Sequence, residues 1–250
     1  MRLRTPKQPD GRGNHEGRPY WLWRPDAEPP WPAMVIIHGA GSAKENHADF
    51  ARFCAASGWM ALSYDQRGHG ESEELMGPAA LGDVGRMAAM LAAIEGVDGR
   101  RICARGSSMG GYLAIQAAAS SDLIRGVIAI CPATEEGLRR GLRSGELEMR
   151  ADVGALDAWL GEHDLSDAVT QLAGKPLIVL HARGDERVPY TESERLFAAA
   201  GEPKRLIVLP GGHHRSVQHD PELWAVALRW LGRQLGVGPQ GLRGSQGGEG

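Results

Sequence analysis

The chain lacks most of the features that mark exported, membrane-bound or nucleic-acid-binding proteins. Among its 250 residues are only three cysteines, Cys54, Cys103 and Cys131. They sit in apolar, helix-like or strand-like segments without metal-ligand spacing, so they read as buried free thiols, which suits a reducing compartment. No apolar run approaches the length of a transmembrane helix. The first 17 residues are polar and carry no apolar signal region. A cytoplasmic protein without a membrane partner is the expectation. Charge of one sign is also lacking: the formal net charge is −3, with no basic stripe and no nucleic-acid motif, which argues against a nucleic-acid partner. No internal repeat is present. Nothing in the chain calls for a metal or an organic cofactor.

What is present is a regular alternation of apolar runs. Strand-like segments at 33–38, 59–64, 101–107 and 124–131 alternate with helix-like segments at 46–57, 79–95 and 108–120. That alternation predicts an α/β fold, a mostly parallel sheet flanked by helices on both faces. Tyr20-Trp21-Leu22-Trp23 reads as an early edge strand. A final helix is expected over about 220–235, with Leu223, Val226, Ala227, Trp230 and Leu231 at helical spacing. The length suits one α/β domain, at 18–235. Residues 1–17 read as a flexible arm and 236–250, rich in Gly and Gln, as a disordered tail.

Residues 133–174 interrupt the alternation and read as two or three short helices. Val153, Leu156, Trp159 and Leu160 share one face there. In a parallel α/β sheet, insertions at the C-terminal strand ends cover the ligand crevice. The segment therefore reads as a small helical cap that shapes a pocket, or else as helices that merely pack on the domain. Arg139, Arg140, Arg143 and Arg150 make it locally basic, but Glu135, Glu136, Glu146 and Glu148 are interspersed, as on a solvated face.

The most informative stretch is Arg105-Gly106-Ser107-Ser108-Met109-Gly110-Gly111. It lies between a strand-like and a helix-like run, as Gly-x-Ser-x-Gly does at a nucleophile elbow. A serine hydroxyl becomes a nucleophile only beside a base and beside oxyanion-stabilising N–H groups. A sharp turn presents it so, and small flanking residues are needed where backbones then crowd. Ser108 has glycine on both sides at that spacing; Ser107 does not. The N–H of Met109 is the first oxyanion donor.

This elbow predicts Ser, then an acid, then His along the chain. Pro176-Leu177-Ile178-Val179-Leu180 reads as a strand, and Asp185 stands just past its end, set in a turn by Gly184 and Val188-Pro189. Glu186 is the adjacent rival. A further strand, Arg205 to Leu209, ends in Pro210-Gly211-Gly212-His213-His214. A histidine on that loop can serve as general base. His214 is assigned, with His213 as the alternative, since adjacent side chains on an extended loop point opposite ways. The second oxyanion donor is expected after the strand Ala33–Ile37, in His38-Gly39-Ala40-Gly41-Ser42, at the N–H of Ala40. His38 reads as a structural residue of that loop. Gly41 and Trp159 are candidate pocket residues.

With these motifs placed, and with Asp65-Gln66-Arg67-Gly68-His69-Gly70-Glu71-Ser72 between them, the chain resembles the α/β-hydrolase superfamily over residues 33 to 216. Within it the chain is most similar to small bacterial serine esterases and dienelactone-hydrolase-like proteins. The resemblance implies a base histidine after a Pro-Gly-x-x stretch, which falls on His214, and reads Arg67 and His69 as scaffold. A dienelactone hydrolase proper carries Cys where this chain has Ser108. The expected activity is cleavage of a small-molecule ester through Ser108, His214 and Asp185. A thioesterase or peptidase on the same residues, or a non-enzymatic ligand-binding protein of this fold, are the alternatives.

Overall fold

Strands of opposite directions meet at one edge of the sheet, and parallel strands make up the rest. A computed structural model of the chain describes residues 6–172 and 174–237; residues 1–5 and 238–250, which take in most of the expected tail, lie outside them. The strands are β1 (Gly11–His15), β2 (Arg18–Trp23), β3 (Trp31–Ile37), β4 (Met60–Tyr64), β5 (Val97–Ser107), β6 (Ile124–Ile130), β7 (Leu177–Ala182) and β8 (Lys204–Leu209). Among the described residues they form one 8-stranded sheet in the order β1-β2-β4-β3-β5-β6-β7-β8. β1 with β2 and β2 with β4 are antiparallel; all later pairs are parallel.

β1 corrects the expectation of a loose arm through residue 17. Glu16 at φ 49° and Gly17 at φ 81° make a hairpin turn, with both central residues left-handed, the arrangement that matches strand twist. Gly11 then pairs with Leu22 and Gly13 with Tyr20.

The helices are α1 (Ala48–Ala56), α2 (Ala80–Ala92), α3 (Met109–Ser120), α4 (Glu135–Ser144), α5 (Val153–Leu160), α6 (Leu165–Thr170), α7 (Tyr190–Ala199) and α8 (Pro221–Gln234). The sheet's twofold side-chain alternation divides the core. Val35, Ile37, Ile102 and Ala104 face α2, α3 and α7. Met34, Ile36 and Cys103 face α1 and α8. Both faces are buried, so the parallel strands read as unbroken apolar runs. None of the helices among the described residues is long and apolar enough to cross a membrane.

The 133–174 insertion holds α4, α5 and α6. Each opens on a side-chain cap: Thr134 accepts from Gly137 N–H, Asp152 from Ala155 N–H and Asp164 from Ser166 and Asp167 N–H. Such caps satisfy donors that a short helix leaves open. Leu156 and Leu160 are buried, whereas Val153 is 49% exposed. Val153 has the helical spacing of that face but stands in the first turn, where the domain does not cover it. Backbone bonds from Met76 N–H to the Arg150 carbonyl (2.8 Å) and from Arg150 N–H to the Gly68 carbonyl (3.1 Å) stitch the insertion to the loop after β4. Arg139 and Arg143 converge on Asp157, the closest contact being 2.7 Å from Arg143. Their charge is therefore spent within the insertion.

Candidate active site

The loops after β3, β5, β6, β7 and β8 leave the sheet at its C-terminal edge, where ligands bind in open α/β sheets. Ser108 stands between β5 and α3 at φ 54°, ψ −120°, half-buried. A non-glycine residue there is strained and persists only if its surroundings hold it. Four hydrogen bonds do so. Ser108 N–H donates to the Ile130 carbonyl (2.9 Å), and the Ser108 carbonyl accepts from Gly111 (2.9 Å), Tyr112 (3.1 Å) and Ala133 (3.1 Å). A Cβ on Gly106 would strike the Gly110 carbonyl, and one on Gly110 would strike the carbonyls of Ile37 and His38. Both glycines are thus fixed by backbone contact. Ser107 is buried.

The loop after β3 presses on the elbow. A Cβ on Gly39 would lie 3.1 Å from the Ser107 carbonyl oxygen and 3.3 Å from Ser108 Cβ. Gly39, the residue before Ala40, thus lies against the elbow. Among the described residues, the N–H groups of Ala40 and Met109 make no hydrogen bond in the loops and turns. His38 is buried and locks the loop: Nδ1–H donates to the Gly39 carbonyl (2.8 Å), and Nε2 accepts from Gln66 N–H (3.1 Å). Burial, and then neighbouring His69, push its pKa down to about 4, so it is a neutral scaffold residue. Arg67 is held by Asp83 at 2.7 Å and His69 by the Arg67 carbonyl at 2.8 Å. Both brace the turn after β4.

Asp185 and His214 come together. His214 Nδ1–H donates to Asp185 Oδ2 at 2.7 Å, and the Asp185 side chain has no exposed surface. Its other oxygen accepts from the N–H groups of Arg187 and Val188, each at 2.9 Å. Burial opposes ionisation of Asp185, but hydrogen bonds from His181 and His214, then those backbone N–H groups, prevail and hold its carboxyl well below the usual range. Glu186 accepts from the backbone N–H of His214 at 3.1 Å and so braces the loop. His213 is exposed, and its ring accepts only a 3.3 Å contact from Arg215 N–H. Among the described residues His214 Nε2 has no partner, and Ser108 Oγ makes no hydrogen bond. The acid and histidine loops touch through backbone: a Cβ on Gly184 would strike the Gly212 carbonyl.

An apolar cavity of about 10 Å³ lies beside Met109, just enough for one water. Tyr112, Leu138, Leu147, Met149 and Trp159 line it, so of the two candidate pocket residues Trp159 is there. Gly41 is not; it faces Glu148, whose Oε2 would lie 2.8 Å from a Cβ built on it. Sequence reasoning missed His181 and its contact with Asp185, and gave Glu148 no place beside Gly41; Cys131 is the buried free thiol expected. The one visible signal was a histidine at the end of an otherwise apolar strand run.

The family model described as serine aminopeptidase, S33, matches residues 28–161. The uncharacterised protein Rv2307c of Mycobacterium tuberculosis is 30% identical over 200 residues, which are 77% of this chain and 64% of that protein. The chain thus spans less than two thirds of that relative. Among solved structures, 2,6-dihydroxy-pseudo-oxynicotine hydrolase superposes with a TM-score of 0.75 at 19% identity, over 92% of this chain and 68% of that one. Est1E from Butyrivibrio proteoclasticus superposes with a TM-score of 0.70 at 22% identity, over 92% and 99%. At those identities the shared property is the fold.

Proposed function

The chain belongs to the serine aminopeptidase S33 family of α/β hydrolases, and we propose that it cleaves small-molecule carboxylic esters with Ser108, His214 and Asp185. The observation that carries this reading is the 2.7 Å bond from His214 Nδ1–H to Asp185 Oδ2. It commits the ring's other nitrogen, Nε2, to act as the base. In the proposed reaction His214 Nε2 takes the Ser108 proton as Oγ bonds to the acyl carbon. The N–H groups of Ala40 and Met109 receive the oxyanion. His214, stabilised as imidazolium by Asp185, returns the proton to the leaving alcohol. Water, deprotonated by His214, then attacks the acyl-enzyme, and the acid leaves as Ser108 regains its proton. The acyl group lies against the apolar side chains beneath the insertion, whose wall gives way to admit it, and the insertion acts as a cap that excludes water. The three cysteines are thiols, in keeping with a reducing, cytoplasmic setting.

Labelling with a fluorophosphonate tests the nucleophile: wild-type protein takes the label and Ser108→Ala does not. Equal labelling of both overturns the assignment. A second reading, aminoacyl cleavage, is favoured by Glu148 beside Gly41, where a carboxylate can hold a substrate ammonium. Rates on p-nitrophenyl esters against aminoacyl anilides separate the two, with esters expected to be the faster.

A further inference from the structure

Behind Asp185 lies a second histidine that the ester-cleaving reading leaves without a task. His181, in β7, has no exposed side-chain surface. Its Nε2 is 3.2 Å from Asp185 Oδ2 and 2.9 Å from the Val188 carbonyl oxygen. Both are acceptors, so Nε2 carries a hydrogen that they share. Its Nδ1 is 2.6 Å from Ser193 Oγ of α7, and that hydroxyl fixes the ring from its other side. Asp185 Oδ2 therefore receives two imidazoles, His214 at 2.7 Å and His181 at 3.2 Å. Oδ1 receives two backbone N–H groups. Cys131, held after β6 at φ 43°, brings its Sγ within 4.8 Å of the same His181 and Asp185 atoms. Burial, and then the Asp185 carboxylate, push that thiol up, so it is a further uncharged neighbour. Among the described residues, Asp185, Ser193 and Cys131 are the polar and titratable side chains placed against His181, and His214 and Glu186 lie one contact further on, through Asp185 and His214.

We propose that His181 is a positioning residue for the reaction: it donates to Asp185 Oδ2, is itself held by Ser193, and thereby fixes the carboxylate that aims His214 at Ser108. The proposal rests on the assignment of Ser108, His214 and Asp185 above. A carboxylate held on one oxygen by two rings cannot turn without breaking one contact. His181 also withdraws charge from Oδ2. Without it the carboxylate attracts the His214 imidazolium more strongly, and the acid limb of the pH–rate profile moves to higher pH.

The test compares His181→Met, His181→Gln and Ser193→Ala on p-nitrophenyl acetate, with fluorophosphonate labelling of each. His181→Met is expected to lower kcat about 10- to 100-fold with KM within about twofold, as for partners that orient an active-site group. Its acid limb is expected to rise by roughly half a unit. His181→Gln, whose amide can donate to Oδ2, is expected to recover most of kcat and return the limb. Ser193→Ala is expected to lose about threefold in the same direction. A folded His181→Met with wild-type kcat and limb overturns the proposal, as does a His181→Gln no better than His181→Met. If His181→Met does not fold, an unchanged kcat and limb in Ser193→Ala overturns it. Wild-type protein that neither hydrolyses the ester nor takes the label at Ser108 overturns the ester reading, and the role of His181 with it. Full activity in a labelled His181→Met overturns the role of His181 alone.

Discussion

The Tyr112 hydroxyl donates a 2.6 Å hydrogen bond to the carbonyl of His163, which ties the helix that starts at the elbow to the turn between α5 and α6. Gln116, one helical turn on, donates to the same carbonyl at 3.1 Å. Trp159 stacks on His163, with centroids 4.3 Å apart, and meets Tyr112 edge-on at 6.0 Å. The wall of the apolar cavity is thus fastened to the segment that carries Ser108. Tyr112→Phe removes one of the two donors and leaves the carbonyl its other. It is expected to cost about 1 kcal/mol, read as a melting temperature lower by about 2–4 °C for a domain of this size. A melting temperature equal to wild type means the tether carries no weight.

The two adjacent histidines give a sharper contrast. His214 is bonded to a buried carboxylate at 2.7 Å, while His213 is exposed. His214→Ala is expected to lower kcat on p-nitrophenyl acetate by at least about 1,000-fold, the scale on which removal of one triad member acts. His213→Ala is expected to stay within about twofold, since exposed substitutions away from the chemistry cost little. Retained activity in His214→Ala, with loss in His213→Ala, reverses the assignment.

How far the sequence reveals these features depends on the kind of signal each one leaves. The elbow was legible because Gly106 and Gly110 answer to backbone contacts that no other residue survives. The sheet interior was legible because strands buried on both faces are continuous apolar runs. β1 was not: Gly11-Arg12-Gly13-Asn14-His15 has no apolar alternation, and its pairing comes from the hairpin turn at Glu16-Gly17. His181 and Ser193 were not legible as a pair, because a contact across 12 positions leaves no local pattern. Val153 has the spacing of the buried face yet is exposed, because helical spacing fixes a face and not how far along the helix that face is covered.

Stability is expected to fall as the medium becomes acidic, and two buried histidines set the direction. Burial, followed by His69, lowers His38 to about 4, and burial, followed by Arg105, also lowers His47. An unfolded histidine titrates near about 6.5. Between that value and the lower folded one, the unfolded chain binds protons that the native protein does not. Stability is therefore full above about pH 6.5 and falls as pH drops towards 4, by roughly 3 kcal/mol from His38 alone. Asp185, also depressed, adds stability that is present above about pH 3.9 and lost below it. Urea midpoints at pH 7.5, 6 and 5 check this; a midpoint that stays level or rises towards pH 5 contradicts neutral burial of His38 and His47.

Whether the insertion shapes the pocket or only packs on the domain can be tested at the small cavity it closes. At about 10 Å³ the cavity holds no more than one water, so an acyl chain enters only as its wall gives way. Trp159 forms one wall from α5, against Met109 and Tyr112 of α3. Removing the indole opens that wall without touching Ser108, His214 or Asp185. Each methylene buried in an apolar site contributes about 0.8 kcal/mol, and butyrate has two more than acetate. Trp159→Ala is therefore expected to raise the ratio of kcat/KM for p-nitrophenyl butyrate over acetate by on the order of tenfold. The lost stacking on His163 lowers stability as well, but a ratio of two rates on one folded protein is insensitive to that. If the ratio stays at its wild-type value while the protein remains folded, the insertion is packing alone and the acyl chain lies elsewhere.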